Sequence, residues 1–282
     1  MIENWPLKIE NLFHIPVLVK EVLEYLDPKP GQNFIDCTIG EGGHASEILK
    51  RTGPNGVLLG IDLDEKQIEN AGKNLAEFKD RIILTNDSYA NLKNIASAVK
   101  IGNIKGILLD LGFSMRQIES SGKGFSFMKN EPLDMRYGKK NNLTAEKIIN
   151  EYSQKEIEKI LREYGEEKFS RHIAEKICQE RELRPIKKTF ELVELIKKSI
   201  PVKLQRGRIH FATKSFQALR IAVNKELDNL KEFLPQALEI LPENGRLAVI
   251  SFHSLEDRIV KNFFKERRHF IKLLSKKPII AG

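Results

Sequence analysis

Asn33-Phe-Ile-Asp36-Cys-Thr-Ile-Gly40-Glu-Gly42-Gly43-His44, followed by Val57-Leu-Leu-Gly-Ile-Asp62, decides the fold. An apolar β-rich run stops in a glycine loop, a helical stretch runs to about Lys50, and a second apolar run ends in an acid. Two further strands are read at Arg81–Thr85 and Gly106–Asp110. Strands separated by helix-length segments predict βαβ units and a parallel sheet. The glycines allow close backbone approach and leave amides open at a helix start. Asp62, twenty residues after Gly42, stands where a carboxylate meets ribose hydroxyls. Together they point to a nucleoside cofactor. Gly40, Gly42 and Ala45 equally fit a dinucleotide loop, and a tight turn without ligand uses the same residues.

Working outward, residues 144–200 give only helical signals, with a capping box at Ser153-Gln-Lys-Glu156, an interruption at Gly165 and Thr189 as a cap. Phe216, Leu219, Val223, Leu227, Leu230 and Leu234 form one helical stripe, which Pro235 is expected to end. Asn244-Gly245 turns into a fifth strand, Arg246–Ser251. The expected architecture is α/β: a discontinuous core of residues 1–113 and 209–282, split by an inserted all-helical domain, 114–208, for substrate recognition.

The 282 residues, 41% hydrophobic and 30% charged, exclude collagen-like, disordered and disulfide-scaffold classes. No apolar run suits a bilayer and no signal segment opens the chain, so a cytoplasmic protein without membrane partners is expected. Cys37 and Cys178 cannot make a zinc cluster, and no metal is expected. Lys and Arg number 47 against 39 acids, a net +8. The surplus clusters. Lys203, Arg206, Arg208, Lys214, Arg220 and Lys225 lie in an acid-free stretch, and only Glu266 opposes the eight cations from Arg258 onward. Such clustering favours a basic face able to bind a polyanion.

Asp110 ends the fourth strand, at the edge where open α/β sheets bind ligands. A carboxylate there can accept a hydrogen bond from an exocyclic amine and take its proton as a methyl group arrives; a loop aspartate or N-cap reads the same way. Asn86-Asp-Ser-Tyr89 follows the third strand, where the tyrosine ring either covers an adenine or simply packs. In Arg206-Gly-Arg208-Ile-His210-Phe211-Ala-Thr-Lys214 the cations suit phosphates and Phe211 an unpaired base, although a solvated basic loop has similar composition. His253, after the fifth strand, has no metal-spaced partner and reads as a shaping or hydrogen-bonding residue.

Several longer motifs occur in order: His14-Ile-Pro-Val-Leu18, Asp36–His44, Gly60-Ile-Asp-Leu-Asp64, Leu109-Asp-Leu-Gly112, Gly124-Phe-Ser-Phe127, Pro132-Leu-Asp-Met-Arg136, Tyr164-Gly-Glu-Glu167, Phe211–Arg220 and Ile250–Arg258. On these the chain resembles the bacterial 16S ribosomal RNA cytosine-N4 methyltransferases. The resemblance implies a Rossmann-like class I methyltransferase core with a helical insert and S-adenosylmethionine as methyl donor. It further implies cytosine 1402 of the small-subunit 16S rRNA as target, and no DNA partner. By motif position Gly42, Gly43, His44, Asp62, Tyr89, Asp110 and Gln117 line the donor site. Arg206, Arg208, His210, Phe211, Lys214 and His253 are the expected RNA-facing residues. The sequence departs from the family pattern at Ser114-Met115-Arg116 before Gln117. It also ends at Gly282, where the family continues with an arginine- and serine-rich tail.

Three rivals stand beside this reading. A DNA amino-methyltransferase carries Asp/Asn-Pro-Pro-aromatic where this chain has Asp110-Leu-Gly-Phe113. The others are an RNA-binding assembly factor without cofactor, and a dehydrogenase.

Overall fold

The structure, a computed structural model, describes residues 16–112, 121–138, 141–207, 209–275 and 277–280. The chain packs into two compact units: Met1–Asp110 with Gln236–Ile250 and Arg267–Gly282, and Leu111–Pro235 with Ser251–Glu266.

The first unit is built on a five-stranded sheet: β1 (Asn33–Asp36), β2 (Leu58–Asp62), β3 (Ile82–Asn86), β4 (Ile104–Asp110) and β5 (Arg246–Ile250). Its order is β3-β2-β1-β4-β5, and every pairing is parallel. Chain order reverses between β1 and β4, and this topological switch opens a crevice at the carboxyl ends of those strands. Helices α1 (Val19–Leu26), α2 (Gly43–Thr52) and α3 (Glu65–Asn74) supply Leu23, Leu26, Ile48, Leu49, Ala71 and Leu75 to a core shared with Phe34, Leu58 and Leu108. Strands covered on both faces need no polar alternation, and Ile107, Leu108 and Leu109 are all fully buried. A fourth helix, α4 (Leu92–Val99), lies between β3 and β4 in sequence.

The second unit holds α5 (Ala145–Glu151), α6 (Gln154–Gly165), α7 (Ser170–Leu183), α8 (Thr189–Ser199), α9 (Thr213–Asn224), most of α10 (Glu226–Ile240) and α11 (Ser254–Glu266). Its limits are not those of the segment 114–208. Residues 209–235 and 251–266 pack with it, because α9 delivers Phe216, Ala218, Leu219 and Val223 to the same core as Ile148, Ile157, Leu161, Ile173 and Ile196. Gly165 ends α6 against α9, where a Cβ would stand 2.5 Å from the Lys214 carbonyl oxygen. The capping box closes the start of α6, with Ser153 and Glu156 bonded reciprocally. For α8, Lys188 and not Thr189 holds the N-cap position. Thr189 is fully buried; its hydroxyl donates to the Lys129 carbonyl and accepts the Glu131 N–H at 3.0 Å.

Two helix boundaries correct the sequence reading. The stripe from Phe216 to Leu234 is broken at Lys225, which adopts φ +52°, and Pro235 lies inside α10. The break follows from Asn224. Its buried amide accepts the Tyr137 N–H at 2.9 Å and donates to the Met135 carbonyl at 2.8 Å, fixing the end of α9. The Gly/Pro-rich stretch before α5 is also structural: Leu133 and Met135 are fully buried, and Arg136 forks onto Asp134 at 2.8 and 2.7 Å.

Candidate active site

Three neighbouring strands end in an acid: β1 in Asp36, β2 in Asp62 and β4 in Asp110. Parallel register sets Asp36 beside Gly60 of β2 and Leu108 of β4, so the carboxylates gather at one edge. Thr38 ties two of them. Its N–H donates to Asp36 Oδ1 at 3.1 Å, and its hydroxyl accepts the Asp110 N–H at 2.7 Å. Asp62 holds the glycine loop, accepting from the Gly40 and Asp64 N–H groups at 3.0 and 2.9 Å. A carboxylate has about four acceptor positions, so Asp62 retains capacity for ribose hydroxyls.

Gly42 caps α2 with φ +91° and no side chain. The amides of the first turn therefore have no side-chain cap, the arrangement that accepts anionic groups. The two glycines also serve packing: a Cβ at Gly42 would fall 2.8 Å from Leu75 Cδ1, and one at Gly43 2.5 Å from Pro16 Cγ. His44 follows, 6% exposed, with Nε2 3.6 Å from Asp110 Oδ2. Among the described residues neither His44 ring nitrogen nor Asp110 Oδ1 has a hydrogen-bond partner, although all three atoms are buried. Orphaned buried polar atoms call for a ligand. Tyr89, half-buried, opens a short 3-10 turn directly after β3. Gln117 lies outside the described residues.

The electrostatics of this edge bear on the ligand's charge. Burial pushes the Asp36 carboxyl up to about 7, against the pull of His44 and the Thr38 N–H, and Asp110 and Asp62 push the same way. Burial likewise raises Asp62 to about 6, against the N–H groups of Asp64 and Gly40. Both carboxyls thus hold their protons more tightly than free acids, and a cationic group bound beside them would favour their charged forms.

A stability consequence follows from Asp36. Its folded pKa lies above the ordinary 3.8, so between about pH 4 and 7 the folded state keeps a proton that the unfolded chain has released. Its contribution to stability therefore falls as pH rises through that window and stays low above it. Thermal melts of the unliganded protein should show Asp36→Asn gaining on the native chain at pH 8, by at most about 4 kcal/mol, and by less than half as much at pH 5. Equal changes at both pH values would refute the assigned cause.

The residues expected to face RNA lie in the second unit, and Arg208 falls outside the described ones. Arg206 is exposed. His210 stacks on Phe127 at 4.5 Å and 4°, and Phe211 packs on His210 at 4.2 Å and against the helical core. Lys214 donates to the Glu166 carbonyl at 3.0 Å. His253 caps α11: its Nδ1 accepts the Glu256 N–H at 3.4 Å, while Glu256 Oε2 accepts the Phe252 N–H at 2.9 Å.

Sequence reasoning missed a buried polar network here. Arg220 forks onto Glu226 at 2.9 and 2.9 Å, and the Tyr137 hydroxyl donates to the same carboxylate at 3.1 Å. Burial alone would lower the Arg220 pKa; Glu226 and Tyr137 overcome it and hold the guanidinium charged. Glu226, His253 and Glu256 converge at a spacing that could hold a metal ion. The donor set is already in use, however: Glu226 takes the Arg220 fork, and an imidazole accepting at Nδ1 carries its proton on Nε2. Asp36 was missed too, although the repeated apolar-Asp strand endings at 36, 62 and 110 carried its signal.

An all-parallel sheet in this order, a glycine loop after β1 and an acid ending β2 define a Rossmann-like class I methyltransferase core. The chain belongs to the MraW methylase family, whose model matches residues 11–281. It is 45% identical to ribosomal RNA small subunit methyltransferase H of Thermotoga neapolitana, over 95% of this chain and 88% of that protein. The protein of the same name from Thermosipho melanesiensis is 49% identical over 89% and 85%, and that of Mycoplasma mycoides subsp. mycoides 45% over 95% and 87%. The protein is a methyltransferase.

Proposed function

We propose that this methyltransferase moves a methyl group from S-adenosylmethionine to the exocyclic N4 amine of cytosine 1402 in the 16S rRNA of the small ribosomal subunit. The relatives' names support ribosomal RNA as the substrate class. The observation that carries the chemistry is the Asp110–His44 pair at 3.6 Å, His44 buried and Asp110 half-buried, with polar atoms that find no partner among the described residues, at the carboxyl edge of the sheet. Bound there, S-adenosylmethionine supplies an electrophilic methyl on a positively charged sulfur. Gly42, Gly43, His44, Asp62, Tyr89, Asp110 and Gln117 form its binding set, and its net positive charge suits the carboxyls of this edge.

The cytosine amine is a weak nucleophile because its lone pair is delocalised into the ring. Asp110 orients it by accepting an N4–H hydrogen bond and takes the proton as the new bond forms. The remainder is positioning and exclusion of water. Methylation at C5 would need a thiolate. Cys37 is unsuited, because burial and then Asp36 push its thiol well above the ordinary value, and Cys178 lies on α7 of the helical unit.

The helical unit is the RNA-recognition part of this reading. Exposed Arg206 with Arg208 meets phosphate, while His210, Phe211, Lys214 and His253 shape the surface that receives it. The reading carries with it a cytoplasmic location. Among the described residues no helix is long and apolar enough to cross a membrane.

Labelled methyl transfer to small-subunit particles and to naked RNA, with the modified nucleoside identified, tests the proposal. N4-methylcytidine in the RNA is expected. Label on C5, on ribose, or on DNA alone overturns it.

A further inference from the structure

Phe252, in the second unit, is 57% exposed, yet its backbone is firmly held. It precedes His253, the cap of α11. Glu256, 2% exposed, accepts the Phe252 N–H at 2.9 Å and the His253 N–H at 3.4 Å, and His253 Nδ1 accepts the Glu256 N–H in return. In such a reciprocal cap an apolar residue just before the cap often packs on the fourth residue of the helix. Here that residue is Asp257, which pairs with Lys261 at 2.7 Å. The ring therefore does nothing for the helix start. At Gly112, with φ +102°, a Cβ would stand 3.1 Å from Phe252 Cδ2, so the bare backbone there lets the ring lie against it. Among the described residues the ring stacks on no other.

We propose that Phe252 is a platform on which an unpaired base of the RNA substrate stacks. The inference deepens the RNA reading given above and rests on it. Every base has a π-face, so an anchored, open aromatic ring receives one without reading its sequence. Charge beside the ring decides for RNA over an apolar protein partner. Ser254, two residues on, and Arg258 both donate to the Glu166 carboxylate, at 3.1 and 2.9 Å, and Lys214 donates to the Glu166 carbonyl at 3.0 Å. Arg258, Glu166 and Lys214 are all exposed. A pair so open to water holds weakly, so these cations are available to the phosphates that flank a stacked base.

The test is equilibrium binding of the full chain to a single-stranded 16S rRNA fragment containing cytosine 1402, over a range of salt concentrations. Phe252→Ala should weaken binding by about 5- to 150-fold, the range for losing one stacked base. Phe252→Leu, which keeps an apolar side chain without a π-face, should lose most of the same affinity, whereas Phe252→Tyr should bind like the native protein. The slope of affinity against salt should be unchanged in all three, because stacking releases no counterions. Thermal melts establish that each variant is folded; if alanine is not tolerated, the contrast between leucine and tyrosine carries the same test. Undiminished affinity in the alanine or leucine variant overturns the platform and leaves the ring to a protein partner. A tyrosine variant as weak as leucine, or a shallower salt slope, also overturns it. Failure of the native chain to bind the RNA sinks the RNA reading and the platform with it; native binding that ignores the side chain at 252 sinks the platform alone.

Discussion

Asp110→Ala lowers the single-turnover rate of methyl transfer by about 10²- to 10⁴-fold, the range for loss of a positioned proton acceptor. The fold should survive. The Asp110 backbone N–H keeps its 2.7 Å bond to Thr38 Oγ1 whatever the side chain, and removing the carboxylate relieves a like-charge neighbour of Asp36. Asp110→Asn separates two jobs of the same group. An amide can still accept a hydrogen bond and orient the amine, but it cannot take the proton, so its rate should stay close to that of alanine. Rates measured at saturating methyl donor, beside donor affinity and thermal melts, keep the chemical step apart from binding. Near-normal turnover in either variant removes the role assigned to Asp110.

Glu226→Ala should cost about 3–5 kcal/mol of stability in urea unfolding, the range for breaking a buried ion pair by removing one member. Arg220 and Glu226 are only 14% and 8% exposed. Both guanidinium contacts and the Tyr137 hydroxyl bond end on that one carboxylate. The paired replacement Arg220→Met with Glu226→Leu removes both buried charges together and should recover most of the loss. A single-variant loss below about 1 kcal/mol would show that the guanidinium finds water or another acceptor. The network then would not hold α9 to the start of α10.

Much of the sheet was legible because its signals are local. Apolar runs ended by Asp36, Asp62 and Asp110 mark both the strands and their ligand edge, and the Ser153–Glu156 box marks a helix start by its own chemistry. Lys225 and Pro235 mislead for a common reason. The apolar stripe continues in phase across Lys225, and only the long-range bonds of Asn224 to Met135 and Tyr137 show that the helix stops there. Pro235 is tolerated within α10 because tertiary packing outweighs local preference. The site was legible in part. His44 and Gln117 came from motif resemblance alone, whereas the Arg220–Glu226 fork spans a helix break that no periodicity predicts. Lys214 and Phe211 read from sequence as free to meet RNA. In the fold, Lys214 holds a backbone carbonyl and Phe211 packs on His210.

The strand order has a kinetic consequence. β3, β2 and β1 pair across short stretches of chain, but β5 meets β4 with Asp110 beside Ile250, after the whole helical stretch has intervened. Closing so long a loop costs about 0.6 kcal/mol more in chain entropy than the β1–β4 closure if the intervening residues are still coil. Its speed suffers more, since distant contacts slow folding. Early collapse of the helical core around Ile148, Leu161, Ile173 and Leu219 shortens the flexible span that β5 must search. Damage to that core would then delay completion of a sheet it never enters, and newly made chains would linger with the β4 edge unpaired.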